Sequence, residues 1–160
     1  MRDVFEILLL ILVANGAPVV VSYLFSHRPA YPVDGGFQLA DGYAIFGQTK
    51  TWRGILSSVV AAIALALLLD INWLLGLLIA LTAMAGDLLS SFIKRRSGLE
   101  SSSRAIFLDQ IPESLLPTLA ASLFWQLGLI QVMVIMISFF ILEVILSKIF
   151  YKLGVRKKPY

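Results

Sequence analysis

Five apolar runs divide this chain, and each ends at a polar cluster. A helix needs about 20 apolar residues to span a bilayer. Residues 4–25 meet that length, with Asn15, Gly16 and Pro18 interrupting the middle. Residues 55–69 form a second run, short but extendable through Arg53. The third, 72 to about 93, begins apolar and turns polar at Asp87. The fourth, 115–125, is short and is opened by Pro112 and Pro117, while the fifth, 128–151, is the most continuous. Runs two and three are separated only by Asp70, Ile71 and Asn72, and runs four and five by the residues around Gln126 and Gly128. Connections that short make antiparallel neighbours. The pattern predicts an all-α integral membrane protein. It is a five-helix transmembrane bundle, one unit over residues 1–160, with two polar loop segments at about 26–54 and 94–112.

Composition agrees with the pattern. Hydrophobic residues fill 59% of the 160 positions and charged residues 14%, against roughly 45–50% and about 25% in soluble domains. Cysteine is absent, which excludes disulfides, thiolate metal sites and a cysteine nucleophile. The lone histidine, His27, lies beside Arg28 at a predicted helix end and reads as an interfacial residue; a His-ligated zinc site needs more histidines. Asp3 and Glu6 stand before the first run, where a cleavable signal would be basic, so the first helix is expected to be retained.

The basic residues then orient the bundle. Arg28, Lys50 and Arg53 lie between runs one and two. Lys94, Arg95, Arg96 and Arg104 lie between three and four, and Lys148, Lys152, Arg156, Lys157 and Lys158 near the end. The other side carries only Arg2. Cytoplasmic loops are enriched in Lys and Arg. The expected topology is N-terminus outside and C-terminus inside a cell membrane, with both polar segments cytoplasmic. The net charge of +3 and pI of about 9.3 fit anionic headgroups. No aromatic-basic interleaving suits nucleic acid. No internal repeat points to a transporter built of inverted halves.

Candidate chemistry concentrates between Gly86 and Ser114. Charged groups at the ends of apolar helices are costly and mark sites. Asp87 and Asp109 on neighbouring helix ends could hold Mg²⁺, which favours carboxylate oxygens and keeps waters and phosphates as its other ligands. The plainer alternatives are that Asp87 pairs with Lys94 or Arg95, and that Asp109 caps a helix starting near Ile111. Asp87, Ser91, Lys94 and Arg95 share a helix face at spacings of three and four. Lys94, Arg95 and Arg96 mark the membrane border, a role compatible with binding a triphosphate. Ser101–Ser103 read as a bend. In the first polar segment, Asp34-Gly35-Gly36 and Asp41-Gly42 are turn formers. Gly47-Gln48-Thr49-Lys50-Thr51 lacks the second glycine and the preceding strand of a Walker motif. Its useful content is Lys50, Thr51 and Arg53 at the start of a helix, whose free backbone donors favour anions. Asn15-Gly16-Ala17-Pro18 either packs helices closely or opens the backbone to line a cavity.

Taken in order, Gly86-Asp87, Ser91, Lys94-Arg95, Gly98, Leu108-Asp109 and Ser114 resemble the signature of CTP-dependent phosphatidate cytidylyltransferases. The full length is more similar to their archaeal branch, the CDP-archaeol synthases. That similarity is carried by Asn15-Gly-Ala-Pro18, Asp34-Gly35-Gly36, Asp41-Gly42, Phe46-Gly47, Lys50-Thr51, Arg53-Gly54, Gly86-Asp87, Lys94-Arg95-Arg96 and Leu108-Asp109-Gln110-Ile-Pro112. The Lys-Asp pair and His-Gly-Gly run of the broader enzymes are missing, and Gln110 replaces their Arg, so no role carries over to residues 101–104. The resemblance implies transfer of cytidylyl from CTP to an isoprenoid diether glycerol phosphate, with Mg²⁺ as cofactor and pyrophosphate as co-product. It implies Asp87, Asp109 and Lys94 as catalytic groups, the aspartates on the metal. Lys50, Thr51, Arg53, Ser91, Arg95, Asn15 and Asp41 are the expected substrate contacts.

Two rivals share parts of this pattern. A CTP-dependent polyprenol-type lipid kinase would release CDP rather than pyrophosphate. A small transporter would need charges along a path through several spans, whereas Glu143 is the only other charge deep in a run. Glu143 either pairs with Lys148 or faces the site.

Overall fold

The structure, a computed structural model, describes residues 2–99 and 106–156. Its helices are α1 (Arg2–Leu24), α2 (Trp52–Leu68), α3 (Trp73–Arg96), α4 (Ile106–Ala121) and α5 (Leu129–Lys152). Among the described residues there are no strands beyond two isolated bridges, Pro32–Thr51 and Gln38–Ala44. Helices α1, α3 and α5 are each long and apolar enough to cross a membrane, and α2 is a shorter apolar helix. The all-α, five-helix membrane architecture expected from the hydrophobic runs is the one observed.

The fourth helix departs from expectation. It begins at Ile106, so Pro112 and Pro117 lie inside it rather than opening it. Asp109 therefore sits in the first turn and does not cap a helix starting near Ile111. Ser114 Oγ donates to the Gln110 carbonyl and Thr118 Oγ1 to the Ser114 carbonyl, each at 2.7 Å. These hydroxyls partner carbonyls in the stretch where the prolines lack N–H donors. Packing also holds α4 close against α3. Gly86 has no side chain because a Cβ there would collide with the Pro112 carbonyl. Gly76 does the same for α2, since its Cβ would lie 2.7 Å from the Ala62 oxygen. Small residues at helix crossings are the usual route to close packing in a bilayer.

Toward the end where α1 begins, the interior is apolar beneath an Arg2–Glu6 ion pair at 2.6 Å. There Val4, Ile7, Leu10 and Ile11 of α1 pack with Leu75 and Ile79 of α3, Ala121, and Ile135 and Phe139 of α5. The outward face of α5, including Ile130, Met133, Ile137, Ile141 and Ile145, is exposed and apolar. In a bilayer that face meets lipid. The other end gathers the C-termini of α1, α3 and α5 with the N-termini of α2 and α4. Arg53 at the start of α2 ties it to the end of α1, donating to the carbonyls of Phe25 and Arg28 at 3.1 and 3.3 Å.

The segment between α1 and α2 is built around Asp34. Its buried carboxylate accepts the N–H groups of Gly36 (3.0 Å), Phe46 (2.9 Å) and Gly47 (2.9 Å). Burial opposes ionisation of Asp34, but these donors outweigh it and hold the carboxyl below the usual carboxylate range. Gly47 takes a φ of +96°, which L side chains rarely adopt. Beyond it, Val33 N–H donates to the Lys50 carbonyl at 2.8 Å and Trp52 N–H to Tyr31 at 3.1 Å. Lys50 thus leaves the loop from a backbone fixed on both sides. Asp41-Gly42 forms the expected turn, with Gly42 at φ +80° and Asp41 Oδ1 accepting Tyr43 N–H at 3.0 Å.

Candidate active site

A cavity of about 1190 Å³ opens in the charged end. Every helix contributes to its wall. Two ion pairs organise it. Lys50 Nζ lies 2.6 Å from Asp87 Oδ1, with the two side chains 23% and 21% exposed. Lys94 Nζ lies 2.6 Å from Asp109 Oδ1. The second contact is an ion pair off the hydrogen-bond axis, so this buried oxygen of Asp109 has a charged neighbour but no hydrogen bond. Glu113, buried on α4, lines the cavity close to the Lys50–Asp87 pair. For Lys50, burial opposes the charge, yet Asp87, Glu113 and Asp109 outweigh it and raise the ammonium above its ordinary range. Lys50 therefore stays a cation, as a phosphate ligand must.

The other expected residues fall as follows. Ser91 and Arg95 are buried on α3 and line the cavity. Ser90 turns away, its hydroxyl donating to the Asp87 carbonyl at 3.0 Å. Thr51 is the N-cap of α2, accepting Gly54 N–H at 3.2 Å, and also reaches the cavity with Arg53. Asn15 lines the cavity while its Nδ2 donates to the Ile11 carbonyl at 3.0 Å. Asp41 stands apart. It is exposed, outside the cavity lining, and its carboxylate is taken by Arg96 at 2.6 Å. That pair fastens the hairpin to the end of α3, with Arg96 also donating to the carbonyls of Tyr43 and Ala44. Ser101–Arg104, Lys157 and Lys158 lie outside the described residues.

Sequence reasoning left Glu143 between pairing with Lys148 and facing the site, and gave no site role to several other groups of the cavity. Glu113, Gln110, Glu143, Ser147, Lys148 and Arg156 all line it. Glu143 faces the site, on the cavity wall with Gln110 and Arg156, and one of its carboxylate oxygens is buried with no hydrogen bond. Its sequence signal is that of an isolated charge in the most apolar run, and such a residue is expensive unless used.

The donor set also bears on a metal. Among the described residues, no three His, Asp or Glu side chains converge closely enough to form a protein cage for a metal ion. An ion held here would have at most two carboxylates and would take its remaining ligands from water or phosphate. That is the habit of Mg²⁺ and unlike that of Zn²⁺. Asp87 and Asp109, both on the cavity wall, supply carboxylate oxygens of the kind Mg²⁺ prefers.

Apolar helices that enclose paired carboxylates, ammoniums and guanidiniums at one end define a polytopic membrane protein with an intramembrane polar site. The chain belongs to the CarS-like, CDP-archaeol synthase family, whose sequence profile matches residues 2–160. It is 33% identical to a CDP-archaeol synthase of Sulfurisphaera tokodaii over 155 residues, covering 93% of this chain and 90% of that protein. A CDP-archaeol synthase of Sulfolobus acidocaldarius is 35% identical over 157 residues, covering 93% and 91%. One from Hyperthermus butylicus is 38% identical over 106 residues, which span 62% of this chain and 60% of that protein. A solved intramembrane enzyme for archaeal membrane lipid biosynthesis superposes with a TM-score of 0.73 at 28% identity, covering 89% of this chain and 90% of that one.

Proposed function

We propose that this protein transfers the cytidylyl group of CTP to an isoprenoid diether glycerol phosphate, 2,3-bis-O-geranylgeranyl-glycerol 1-phosphate, giving CDP-archaeol and pyrophosphate. The observation that carries the reading is the meeting of Lys50–Asp87 and Lys94–Asp109 in one membrane-embedded cavity. Family membership supports the same activity. An oxygen of the lipid phosphate attacks the α-phosphorus of CTP, the α–β phosphoanhydride bond breaks, and pyrophosphate leaves with that electron pair. The attacking group is already an anionic nucleophile, so no covalent protein intermediate is required.

Lys50, Lys94 and Arg95 grip the triphosphate and offset charge that grows on the leaving pyrophosphate. The ammoniums of Lys50 and Lys94, now on carboxylates, would be drawn to phosphate oxygens, and Asp87 and Asp109 are the residues that would hold a metal ion. Bound there, Mg²⁺ would supply Lewis-acid polarisation of a phosphate. The helix N-terminus at Thr51 and Arg53 adds backbone donors for a phosphate. The isoprenoid chains stay among the helices and lipid, so only the headgroup enters the polar cavity.

The basic residues gathered at the charged end support a reading in which that end faces the cytoplasm, where CTP is made, with the N-terminus on the outer side of the cell membrane. The test is incubation of the purified protein with labelled CTP, Mg²⁺ and, in separate reactions, the diether glycerol phosphate or a polyprenol, scoring both nucleotide products. CDP-lipid with stoichiometric pyrophosphate is expected. Release of CDP with phosphorylation of a lipid alcohol would instead make the protein a kinase.

A further inference from the structure

Arg156 lies beyond the end of α5, yet the chain folds it back over the helix. Gly154 takes a left-handed φ of +72°. The N–H groups of Val155 and Arg156 then both donate to the Phe150 carbonyl, at 2.8 and 3.1 Å. This is a helix C-terminus reversed through a glycine. It brings Arg156 Nη1 to 2.7 Å from the Oγ of Ser147, a buried hydroxyl nine positions earlier. Ser147, Lys148 and Arg156 all line the cavity. A guanidinium carries five N–H donors, and the bond to Ser147 uses one.

These groups stand on a separate wall from the cations described above. Among the described residues, α5 packs on α1 and α4 and not on α2 or α3. Lys50, Lys94 and Arg95 belong to the α2–α3 wall. Nucleotidyl transfer between a triphosphate and a phosphomonoester needs two anion sites, because attacking and leaving oxygens lie roughly in line on either side of the α-phosphorus. The α5 wall also offers apolar surface beside its cations. Away from the charged end, α1 and α5 pack through Ile7, Ile11, Ile135 and Phe139. Toward the charged end, Val19 and Tyr23 of α1 and Val144 and Phe150 of α5 face the cavity.

We propose that Lys148 and Arg156, with Ser147 orienting the guanidinium, form the acceptor-phosphate subsite. It takes the phosphomonoester of the lipid on the α5 wall while CTP occupies the α2–α3 wall. The assignment rests on the cytidylyltransferase reading. Arg matches a phosphate bidentately, and the Ser147 bond fixes its plane in advance. The neighbouring apolar residues of α1 and α5 accompany the lipid chains.

The test separates the two substrates. Arg156→Gln and Lys148→Gln are each expected to raise KM for diether glycerol phosphate about tenfold to a hundredfold, the worth of a charge-assisted contact. The Kd for Mg·CTP, measured by calorimetry without lipid, stays at the wild-type value. Arg156→Lys restores part of the lost lipid affinity. In direct binding to detergent-solubilised protein, the variants weaken diether glycerol phosphate and leave the matched diether glycerol, which has no phosphate, unaffected. Weakened Mg·CTP binding with unchanged lipid-phosphate binding would overturn the assignment and move these cations to the triphosphate. Should Arg156→Gln not fold, Lys148→Gln, at an exposed position, carries the same comparison. If the wild type makes no CDP-lipid from any acceptor, the cytidylyl reading fails. The phosphate-dependence of lipid binding still decides whether the α5 wall holds a phosphomonoester.

Discussion

Lys50 and Asp87, 37 positions apart in the chain, meet at 2.6 Å in the wall of the cavity. The contact joins a loop to a transmembrane helix. The loop side is fixed by Asp34 and by the Val33–Lys50 backbone bond. The helix side is fixed by the close approach of α3 and α4 at Gly86, one residue before Asp87. Both frames must hold for the cation and the carboxylate to face the same ligand.

Asp87→Asn removes the charge and keeps the shape. The expected result is a folded, membrane-inserted protein whose turnover falls by at least about a hundredfold, the scale on which lost transition-state electrostatics act. Wild-type-like product formation would remove Asp87 from the metal role.

Lys50→Met leaves Asp87 without its ammonium partner. Because both side chains are about one-fifth exposed, the stability loss falls below the roughly 3–5 kcal/mol of a fully buried broken pair. The main effect is on the nucleotide: KM for CTP rises more than kcat falls. Steady-state kinetics with varied CTP measures the split.

Gly86→Ala tests the α3–α4 frame. The added methyl meets the Pro112 backbone, which cannot swing aside as a side chain can. Overpacking of this kind costs about 1–3 kcal/mol. A lowered thermal midpoint is expected, together with loss of activity as Asp87 and Asp109 move apart.

Asp34 predicts an acid dependence of the loop. Its folded-state pKa is depressed, because backbone donors outweigh burial. The stabilisation is therefore complete above the unfolded-state value of about 4 and disappears as pH falls through the lower folded value. Asp34→Asn should lower the thermal midpoint at neutral pH, and the difference from wild type should shrink as pH drops below about 4. A pH-independent difference would contradict the account.

The absence of cysteine permits single-cysteine mapping without background. Arg2→Cys is expected to react with an impermeant maleimide from outside the cell, and Lys152→Cys only in inverted vesicles. Labelling of both from the same side would overturn the five-span topology.

Most of the helices were legible because each is an apolar run with polar ends. Helix α4 was legible only in its second half. Its first turns hold Asp109, Gln110 and Glu113, residues that hydropathy reads as loop and that are helical because they face a polar cavity. The grouping of Asp87, Ser91, Lys94 and Arg95 followed from helical spacing alone. Lys50 could be nominated but not placed, since its position depends on Asp34 contacts 12 and 13 residues away. Asp41 was nominated in the same way and turned out to hold Arg96. Arg156 was legible only as one of the basic residues that orient the bundle, because its approach to Ser147 depends on the reversal at Gly154.

The most direct test replaces Mg²⁺ with Mn²⁺ and records paramagnetic resonance of the purified protein with CTP. The account predicts one tightly held ion population with hyperfine coupling to nucleotide phosphorus, lost in both Asp87→Asn and Asp109→Asn. Unchanged Mn·CTP binding in those two variants would contradict it.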